Sequence, residues 1–264
     1  MKSTETMTPV TFVGAGPGDP ELITVKGQKA LQVADLVIYA GSLVNPALLQ
    51  ELKPGAEAID SAPLTLDQVM AHMLAAVAMG GRVVRLHTGD PALYGAIQEQ
   101  MELLDDAGVA YAVIPGVTAV FAGAAALKQQ LTLPEVSQTL ILSRIEGRTP
   151  VPANEQLRKL AAVGGTLCLY LSVDKIEHVV CELLTGVFTE RTPVAVIYRA
   201  SWPDEKIVEG TLADIAAKVA DAGIRRQALI LVGDVLAART QGVPNKSKLY
   251  DPGFSHGFRE GQSS

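Results

Sequence analysis

Short apolar runs alternate with helical patterns through the first half of the chain, and this alternation constrains the fold more than any other feature. Apolar runs rich in Val and Ile predict buried strands at residues 10–13, 35–39, 83–86 and 111–114, with a shorter strand at 57–59. Apolar residues recur at helical spacing between these runs. Strict alternation of strand and helix requires a parallel sheet that is covered on both faces.

The second half of the chain resumes the alternation after a lapse at about residues 128–137. Its strands are predicted at residues 139–143, 166–171, 193–198 and 228–232, and residues 206–209 are expected to pair antiparallel with 193–198. The predicted fold class is α/β, with two α/β domains. The predicted segments are an N-terminal domain at 9–128, a linker at 129–137, a C-terminal domain at 138–238 and a flexible tail at 239–264.

Composition and charge exclude several classes of protein. The chain has 264 residues, of which 48% are hydrophobic, so it can bury a sizeable core. No apolar run approaches the roughly 18 residues of a membrane span, and the polar residues before the first strand lead us to expect no secretory signal. The net charge of −6 argues against a nucleic-acid partner. Two cysteines cannot form a disulfide framework, so we expect a cytoplasmic protein.

The stretch RVVRLHTGDPALYG, residues 82–95, joins a predicted strand to a predicted helix. The strand ends at the turn Thr88-Gly89-Asp90-Pro91, and a helical pattern restarts at about Ala92. Such a turn places backbone N–H groups and a carboxylate at the carboxyl edge of a sheet, where ligands bind in open α/β proteins. The alternative is an ordinary joint in which Asp90 caps the helix and Pro91 occupies its first turn.

The glycine-rich loop after the first strand, residues 14–20, does not match the dinucleotide-binding fingerprint. Asp19 stands where that fingerprint has its third glycine, and the second strand is followed by Ala40 and Gly41 rather than by a carboxylate. Pro17 also lacks the backbone N–H that a phosphate cradle would use. The loop is therefore expected to serve a ligand other than NAD.

The sequence offers no set of residues for metal or covalent chemistry. The four histidines lie far apart, and no glycine-framed serine nucleophile exists. Cys168 falls in a predicted buried strand and Cys181 on the predicted apolar side of a helix. We therefore expect no metal site, and a reaction in which positioning supplies most of the rate, such as transfer from an activated cofactor. No residue can be assigned a catalytic role.

Five motifs occur in order along the chain: VGAGPGDPELITVKG, YAGSLV, HTGDPALYG, PGVTA and YRASWPDE. Together they resemble the tetrapyrrole (class III) S-adenosylmethionine-dependent methyltransferases of corrinoid biosynthesis, over about residues 9–238. The resemblance implies two α/β domains with the cofactor in the cleft between them, and a homodimer. YAGSLV and RASWPDE narrow the implied substrate to precorrin-4, methylated at C11, with S-adenosylhomocysteine as the second product.

The resemblance also implies cofactor contacts, residue by residue. These are Pro17 from the first loop, Thr88, Gly89, Asp90 and Leu93 from the third motif, Thr118 and Ala119 from PGVTA, Leu171 at a strand end, and Ala200 from the last motif. For Leu171 and Ala200 the alternative is plain core packing. Arg144, Arg148 and Arg199 lie in loops at or after strand ends and are candidates for binding substrate carboxylates; the alternative is solvated surface arginines.

One departure from the resemblance bears on the substrate. Uroporphyrinogen methyltransferases of this family carry an acidic residue directly after the tyrosine of the second strand, whereas here Tyr39 is followed by Ala40. This argues against uroporphyrinogen III as substrate. Three alternatives remain open: another precorrin or a cobalt-containing intermediate, an RNA- or protein-modifying methyltransferase of the same fold, and a nucleotide-binding dehydrogenase or ligand sensor.

Overall fold

The computed structural model describes residues 9–238, 242 and 247–261. Contacts between Cα atoms group the chain into two compact units. Of the described residues, the first unit contains those up to Ala122 together with Ala200–Pro203, and the second contains Gly123–Arg199 and those from Asp204 onward. Each unit is a five-stranded sheet with helices, so the predicted α/β class with two α/β domains is confirmed.

The sheet of the first unit is parallel throughout, with the strand order β3-β2-β4-β1-β5. In the register of the two central strands, Gly14 lies opposite His87, so β1 and β4 end side by side. The strands are β1 (Val10–Gly14), β2 (Leu36–Tyr39), β3 (Glu57–Asp60), β4 (Val83–His87) and β5 (Tyr111–Ile114).

Helices cover both faces of this sheet, as the sequence predicts. They are α1 (Val25–Val33), α2 (Leu66–Ala78) and α3 (Gln98–Asp106), and α4 (Ala119–Leu127) follows the last strand. Successive strand residues point to opposite faces. Phe12 therefore packs with Leu104 of α3, whereas Val13 packs with Leu31 of α1. Neighbouring strand residues are thus buried on opposite faces of the sheet, each against a helix.

The helix after β4 begins later than the sequence predicts. The expected start at Ala92 is wrong, because α3 begins at Gln98. Tyr94 and Ala96 have φ values of +57° and +49°, in the left-handed region that a right-handed helix cannot include. The residues between Pro91 and α3 therefore form an irregular loop at the carboxyl end of β4.

The sheet of the second unit is mixed, with the order β6-β7-β10-β8-β9. β6 and β7 are parallel, and the other neighbours are antiparallel, including the predicted antiparallel pair β8–β9. The strands are β6 (Leu140–Arg144), β7 (Thr166–Tyr170), β8 (Pro193–Tyr198), β9 (Lys206–Thr211) and β10 (Ala228–Val232), and the helices are α5 (Leu157–Val163), α6 (Ile176–Leu183) and α7 (Ile215–Asp221).

Two cysteines of the second unit differ in environment. Cys168 lies fully buried in β7, as predicted, and burial raises the pKa of its thiol. The prediction for Cys181 is wrong, because this residue is exposed on α6. The apolar side of α6 is instead formed by Ile176, Val179 and Leu183, which pack into the core of the unit.

Two segments predicted to lie outside the domains contain ordered contacts. Within residues 129–137, Leu131 and Leu133 are buried and Leu133 forms an antiparallel bridge with Ser137. In the predicted tail, Arg259 donates hydrogen bonds to the carbonyls of Leu249 and Asp251; residues 239–241, 243–246 and 262–264 of that tail lie outside the described residues. No helix in the described part of the chain is long and apolar enough to cross a membrane.

Candidate functional site

Three loops of the first unit meet at the carboxyl ends of β1, β4 and β5. We call them the strand-end cluster: residues 14–19, 88–93 and 115–119. The chain leaves β1 for α1 on one face of the sheet and leaves β4 for α3 on the other face. Because β1 and β4 are neighbours, the connections that leave them part to opposite faces of the sheet at this point. This is the topological switch point at which open α/β sheets bind ligands.

Three glycines allow the loops of the cluster to touch through their backbones. A Cβ atom on Gly116 would lie 2.1 Å from the carbonyl oxygen of Gly89 and 2.8 Å from Cα of Gly14. A Cβ atom on Gly14 would lie 2.6 Å from Cα of Gly116 and 2.6 Å from the carbonyl oxygen of Gly89. Since the obstructing atoms belong to the backbone, no side-chain rearrangement could accommodate a larger residue.

Backbone hydrogen bonds continue the pairing of β1 and β4 into their loops. The Ala15 N–H donates to the carbonyl of His87 at 2.7 Å. In the loops themselves, Gly89 N–H donates to the carbonyl of Gly16 at 2.8 Å, and Gly16 N–H donates to the carbonyl of Gly89 at 3.3 Å. Gly89 has φ of +61°, which suits glycine. The two loops are thus a single hydrogen-bonded unit.

Asp90 joins the second loop of the cluster to the third. Its Oδ2 accepts the backbone N–H of Gly116 at 2.9 Å, and its Oδ1 accepts that of Ala92 at 2.8 Å. The second bond makes the local turn that the sequence suggests, although no helix begins there. Each carboxylate oxygen has a second lone pair, so Asp90 can bridge the loops and still accept from a donor on a ligand.

The structure brings most of the predicted cofactor residues together in this cluster. Pro17 and Gly89 are buried there, and Thr88, Asp90, Leu93, Thr118 and Ala119 are half-buried. Thr118 lies directly beside Gly89, since a Cβ atom on Gly89 would be 3.6 Å from the Thr118 Cα.

Leu171 and Ala200 differ from each other. Leu171 follows β7 in the second unit and is 68% exposed, with φ of +51°, so core packing does not account for it. A strained backbone under an exposed apolar side chain is typical of a functional position. Ala200 is buried and belongs to the first unit, where core packing remains a sufficient explanation.

The three candidate arginines have different surroundings. The Arg144 guanidinium donates to the carbonyls of Thr149 and Pro150 at 3.1 and 2.8 Å, so it braces its own loop. Arg199 pairs with Asp204 at 2.9 Å. Arg148 is exposed. Of the three, Arg148 has the guanidinium that is most accessible to a substrate.

Three residues that the sequence analysis did not single out hold the first loop in place. Asn45 donates through Nδ2 to the Gly18 carbonyl at 2.8 Å, the Trp202 indole donates to the Pro17 carbonyl at 2.9 Å, and Ser201 accepts the Asp19 N–H at 3.0 Å. These partners lie far from the loop in the sequence, so no local pattern could have indicated them.

A buried histidine lies directly before the cluster. His87 is 4% exposed, and burial, together with the nearby Arg85 charge, lowers its pKa to about 3. Arg85 is itself buried, donates to Gln100 and to the Ile38 carbonyl, and has a pKa lowered to about 10 by burial. A base with so low a pKa is a poor proton acceptor at neutral pH. His87 is therefore not suited to act as a general base beside the cluster.

Comparison with known proteins identifies curated relatives along nearly the whole chain. A cobalt-precorrin-4 C(11)-methyltransferase from Methanocaldococcus jannaschii is 54% identical over 95% of this chain and 96% of its own length. A precorrin-4 C(11)-methyltransferase from Pseudomonas aeruginosa is 49% identical over 96% of this chain and 99% of its own length.

Solved structures show the same fold. A cobalt precorrin-4 methyltransferase of cobalamin biosynthesis matches with a TM-score of 0.84 and 51% identity, over 86% of this chain and 95% of that one. A uroporphyrin-III C-methyltransferase from Thermus thermophilus in complex with S-adenosylhomocysteine matches with a TM-score of 0.72 and 30% identity, over 86% of this chain and 92% of that one. The model of the tetrapyrrole (corrin/porphyrin) methylases matches residues 9–216. The chain therefore belongs to the tetrapyrrole (corrin/porphyrin) methylase family.

Proposed function

We propose that this methyltransferase transfers a methyl group from S-adenosylmethionine to C11 of precorrin-4, giving precorrin-5 and S-adenosylhomocysteine. The observation that carries the proposal is the 54% identity, over 95% of the chain, to a relative named for methylation at this carbon. A relative whose structure holds S-adenosylhomocysteine supports the choice of cofactor. The residue that follows Tyr39 is alanine, which argues against uroporphyrinogen III as the substrate.

The strand-end cluster fits the cofactor. The absence of side chains at Gly14 and Gly116 keeps the three loops of the cluster close together, and at Gly89 it leaves backbone groups that a ligand can approach closely. Leu93 and Thr118 are half-buried and offer apolar and hydroxyl contacts beside it. The residues proposed to bind the cofactor are Pro17, Thr88, Gly89, Asp90, Leu93, Thr118, Ala119, Leu171 and Ala200.

Positioning is the main contribution that these residues make. The cofactor, when bound, supplies a methyl group already activated on a sulfonium. Asp90 holds the second and third loops at a fixed spacing and presents negative charge to the cationic end of the ligand. The closely packed glycine loops would keep that end in one orientation, and Leu93 would exclude water from it. Alignment of the reacting atoms, rather than proton transfer by the protein, lowers the barrier in this account.

Proton removal follows carbon methylation. His87 is a poor acceptor because its pKa is lowered to about 3. We propose that the proton from the tetrapyrrole leaves to water or to a substrate carboxylate. Arg148 is proposed to bind a substrate carboxylate by forked hydrogen bonds. Arg199 and Arg144 are further candidates, but each would have to bind the substrate while it keeps or gives up its contact with Asp204 or with the Pro150 carbonyl.

A cobalt-containing substrate is the second candidate. The relative from Methanocaldococcus jannaschii is named for cobalt-precorrin-4, whereas the relative from Pseudomonas aeruginosa is named for precorrin-4. Parallel assays with both substrates separate the two, because the preferred substrate has the higher kcat/KM. We also propose that the enzyme is a cytoplasmic homodimer that acts without nucleic acid or membrane partners; light scattering of the purified protein tests the dimer.

Calorimetric titration tests the cofactor assignment. The purified chain is titrated with S-adenosylhomocysteine and, separately, with NADH. The proposal predicts saturable binding of S-adenosylhomocysteine and no binding of NADH. Binding of NADH alone would replace the methyltransferase proposal with that of a nucleotide-binding dehydrogenase.

A further inference from the structure

Four residues of the last motif belong to the first unit although their neighbours in sequence do not. Ala200–Pro203 groups with the first unit, whereas Arg199 and Asp204 group with the second. Arg199 and Asp204, which flank the segment, form an ion pair at 2.9 Å and so hold its two ends together.

The segment is anchored on the loop that follows β1. The Trp202 indole N–H donates to the Pro17 carbonyl at 2.9 Å, and the Asp19 N–H donates to the Ser201 hydroxyl at 3.0 Å. The indole also lies directly against Gly18, because a Cβ atom there would come within 2.1 Å of the ring. Trp202 therefore makes both a hydrogen bond and a close packing contact that requires glycine.

The backbone of the segment is strained. Arg199 and Ser201 have φ values of +48° and +69°, and neither is glycine. Left-handed conformations of such residues are unfavourable and persist where surrounding contacts fix them. The contacts that fix Ser201 include its bond from Asp19, so the strain is maintained by the same loop that the segment grips.

The gripped loop is held from a second side as well. Asn45 donates to the Gly18 carbonyl at 2.8 Å, and the Asp19 carbonyl accepts the N–H of Leu22 at 3.0 Å. Side chains from two distant parts of the sequence thus engage three consecutive residues of the loop. The conformation of the loop depends on Trp202, Ser201 and Asn45 rather than on its own sequence alone.

We propose that Trp202 is a positioning residue for S-adenosylmethionine, which it serves by holding the loop 17–19 in the conformation that receives the cofactor. The inference rests on the proposed function. Without the indole, the Pro17 carbonyl loses its donor and the loop gains alternative conformations. The cofactor must then order the loop as it binds, which weakens binding. The tetrapyrrole does not depend on this contact, so its KM stays the same.

The first experiment replaces the indole by a ring without a donor. Trp202→Phe is expected to raise the Kd for S-adenosylhomocysteine, measured by calorimetry, about tenfold, as loss of a hydrogen bond to a buried carbonyl does. The KM for S-adenosylmethionine rises by the same factor, while kcat and the KM for precorrin-4 stay within about twofold. A residue with a merely structural role would lower the unfolding midpoint without producing this split.

A second experiment uses the chain's single tryptophan as a reporter. Binding of S-adenosylhomocysteine is expected to shift the emission of Trp202, because the ligand contacts the loop on which the indole lies. Gly18→Ala should displace the ring and shift the emission of the free protein. The matched control is Gly147→Ala, where an added Cβ meets no atom within 4 Å. Gly18→Ala should also weaken binding of S-adenosylhomocysteine in the wild-type background. In a Trp202→Ala background it should weaken binding little further, because the ring with which the added Cβ would clash is absent.

The outcomes separate the inference from the proposed function. If the wild-type protein binds S-adenosylhomocysteine and Trp202→Phe binds it equally well, the inference is overturned and the function stands. If the wild-type protein binds none, both are overturned. Should Trp202→Phe not fold, Gly18→Ala decides in its place: an affinity equal to that of Gly147→Ala overturns the inference.

Discussion

Asp90 accepts the backbone N–H of Gly116 through Oδ2 at 2.9 Å, and this bond joins the loop after β4 to the loop after β5. Its Oδ1 accepts the Ala92 N–H at 2.8 Å, so both oxygens face backbone donors. Asp90→Asn places an amide NH₂ against one of these donors. We expect the free energy of unfolding to fall by about 1–3 kcal/mol and the affinity for S-adenosylhomocysteine to fall at least tenfold.

Urea unfolding and calorimetry measure these two effects. The control is Asp67→Asn, which makes the same change of charge at an exposed position in the first turn of α2. The control should change both quantities little. Equal behaviour of the two variants would contradict the role given to Asp90.

Gly116 is the position at which the cluster has least space. Gly116→Ala would put a Cβ atom 2.1 Å from the Gly89 carbonyl oxygen. This oxygen belongs to the backbone, so it cannot move aside by a side-chain rotation. We expect a loss of about 2 kcal/mol or more of stability and loss of cofactor binding. Thermal unfolding with and without S-adenosylhomocysteine measures both, with Gly147→Ala as the control in open space. A Gly116→Ala protein that the ligand still stabilises would disprove the close contact.

His87 should make stability depend on pH. Its pKa is about 3 in the folded protein against 6.5 in the unfolded chain, so between these values the unfolded chain binds a proton that the folded protein does not. Stability therefore falls as the pH is lowered from about 6.5 towards 3, by at most about 1.4 kcal/mol per pH unit from this residue. His87→Leu removes this dependence, whereas His178→Leu, at an exposed position on α6, should leave it unchanged. Chemical unfolding at a series of pH values checks this. Parallel curves of unfolding free energy against pH for the wild type, His87→Leu and His178→Leu would refute it.

Arg148 should affect the tetrapyrrole and not the cofactor. Arg148→Ala is expected to raise the KM for precorrin-4 several-fold with no change in stability, because the residue is exposed. Arg144→Ala should also lower the unfolding midpoint, since its guanidinium braces the loop through Thr149 and Pro150. Arg225→Ala, exposed elsewhere in the second unit, is the control. An unchanged KM for precorrin-4 in Arg148→Ala would remove this residue from the substrate site.

The strand pattern of the fold was predictable because each strand corresponds to a short run of adjacent apolar residues. Val13 and Phe12 are both buried, on opposite faces, and only a sheet covered on both sides allows that. The turn at Asp90 was predictable for the same reason. The late start of α3 was not, because nothing in the local sequence indicates that Tyr94 and Ala96 have left-handed φ angles.

The candidate site was predictable only in part. Family motifs indicated Thr88, Gly89 and Asp90, whereas the bond from Trp202 to Pro17 joins residues 185 positions apart. Nothing in the composition of either segment predicts that pairing. The exposure of Cys181 likewise depends on how α6 is rotated against the sheet, which its apolar pattern did not resolve.

Transfer of a labelled methyl group tests the central claim most directly. The purified enzyme is supplied with methyl-labelled S-adenosylmethionine and with precorrin-4 made in situ by the upstream enzymes, and the product is examined by carbon NMR. The account predicts a single new labelled methyl group at C11. Label at another ring carbon, or no transfer in a protein that is folded and supplied with both substrates, would contradict it.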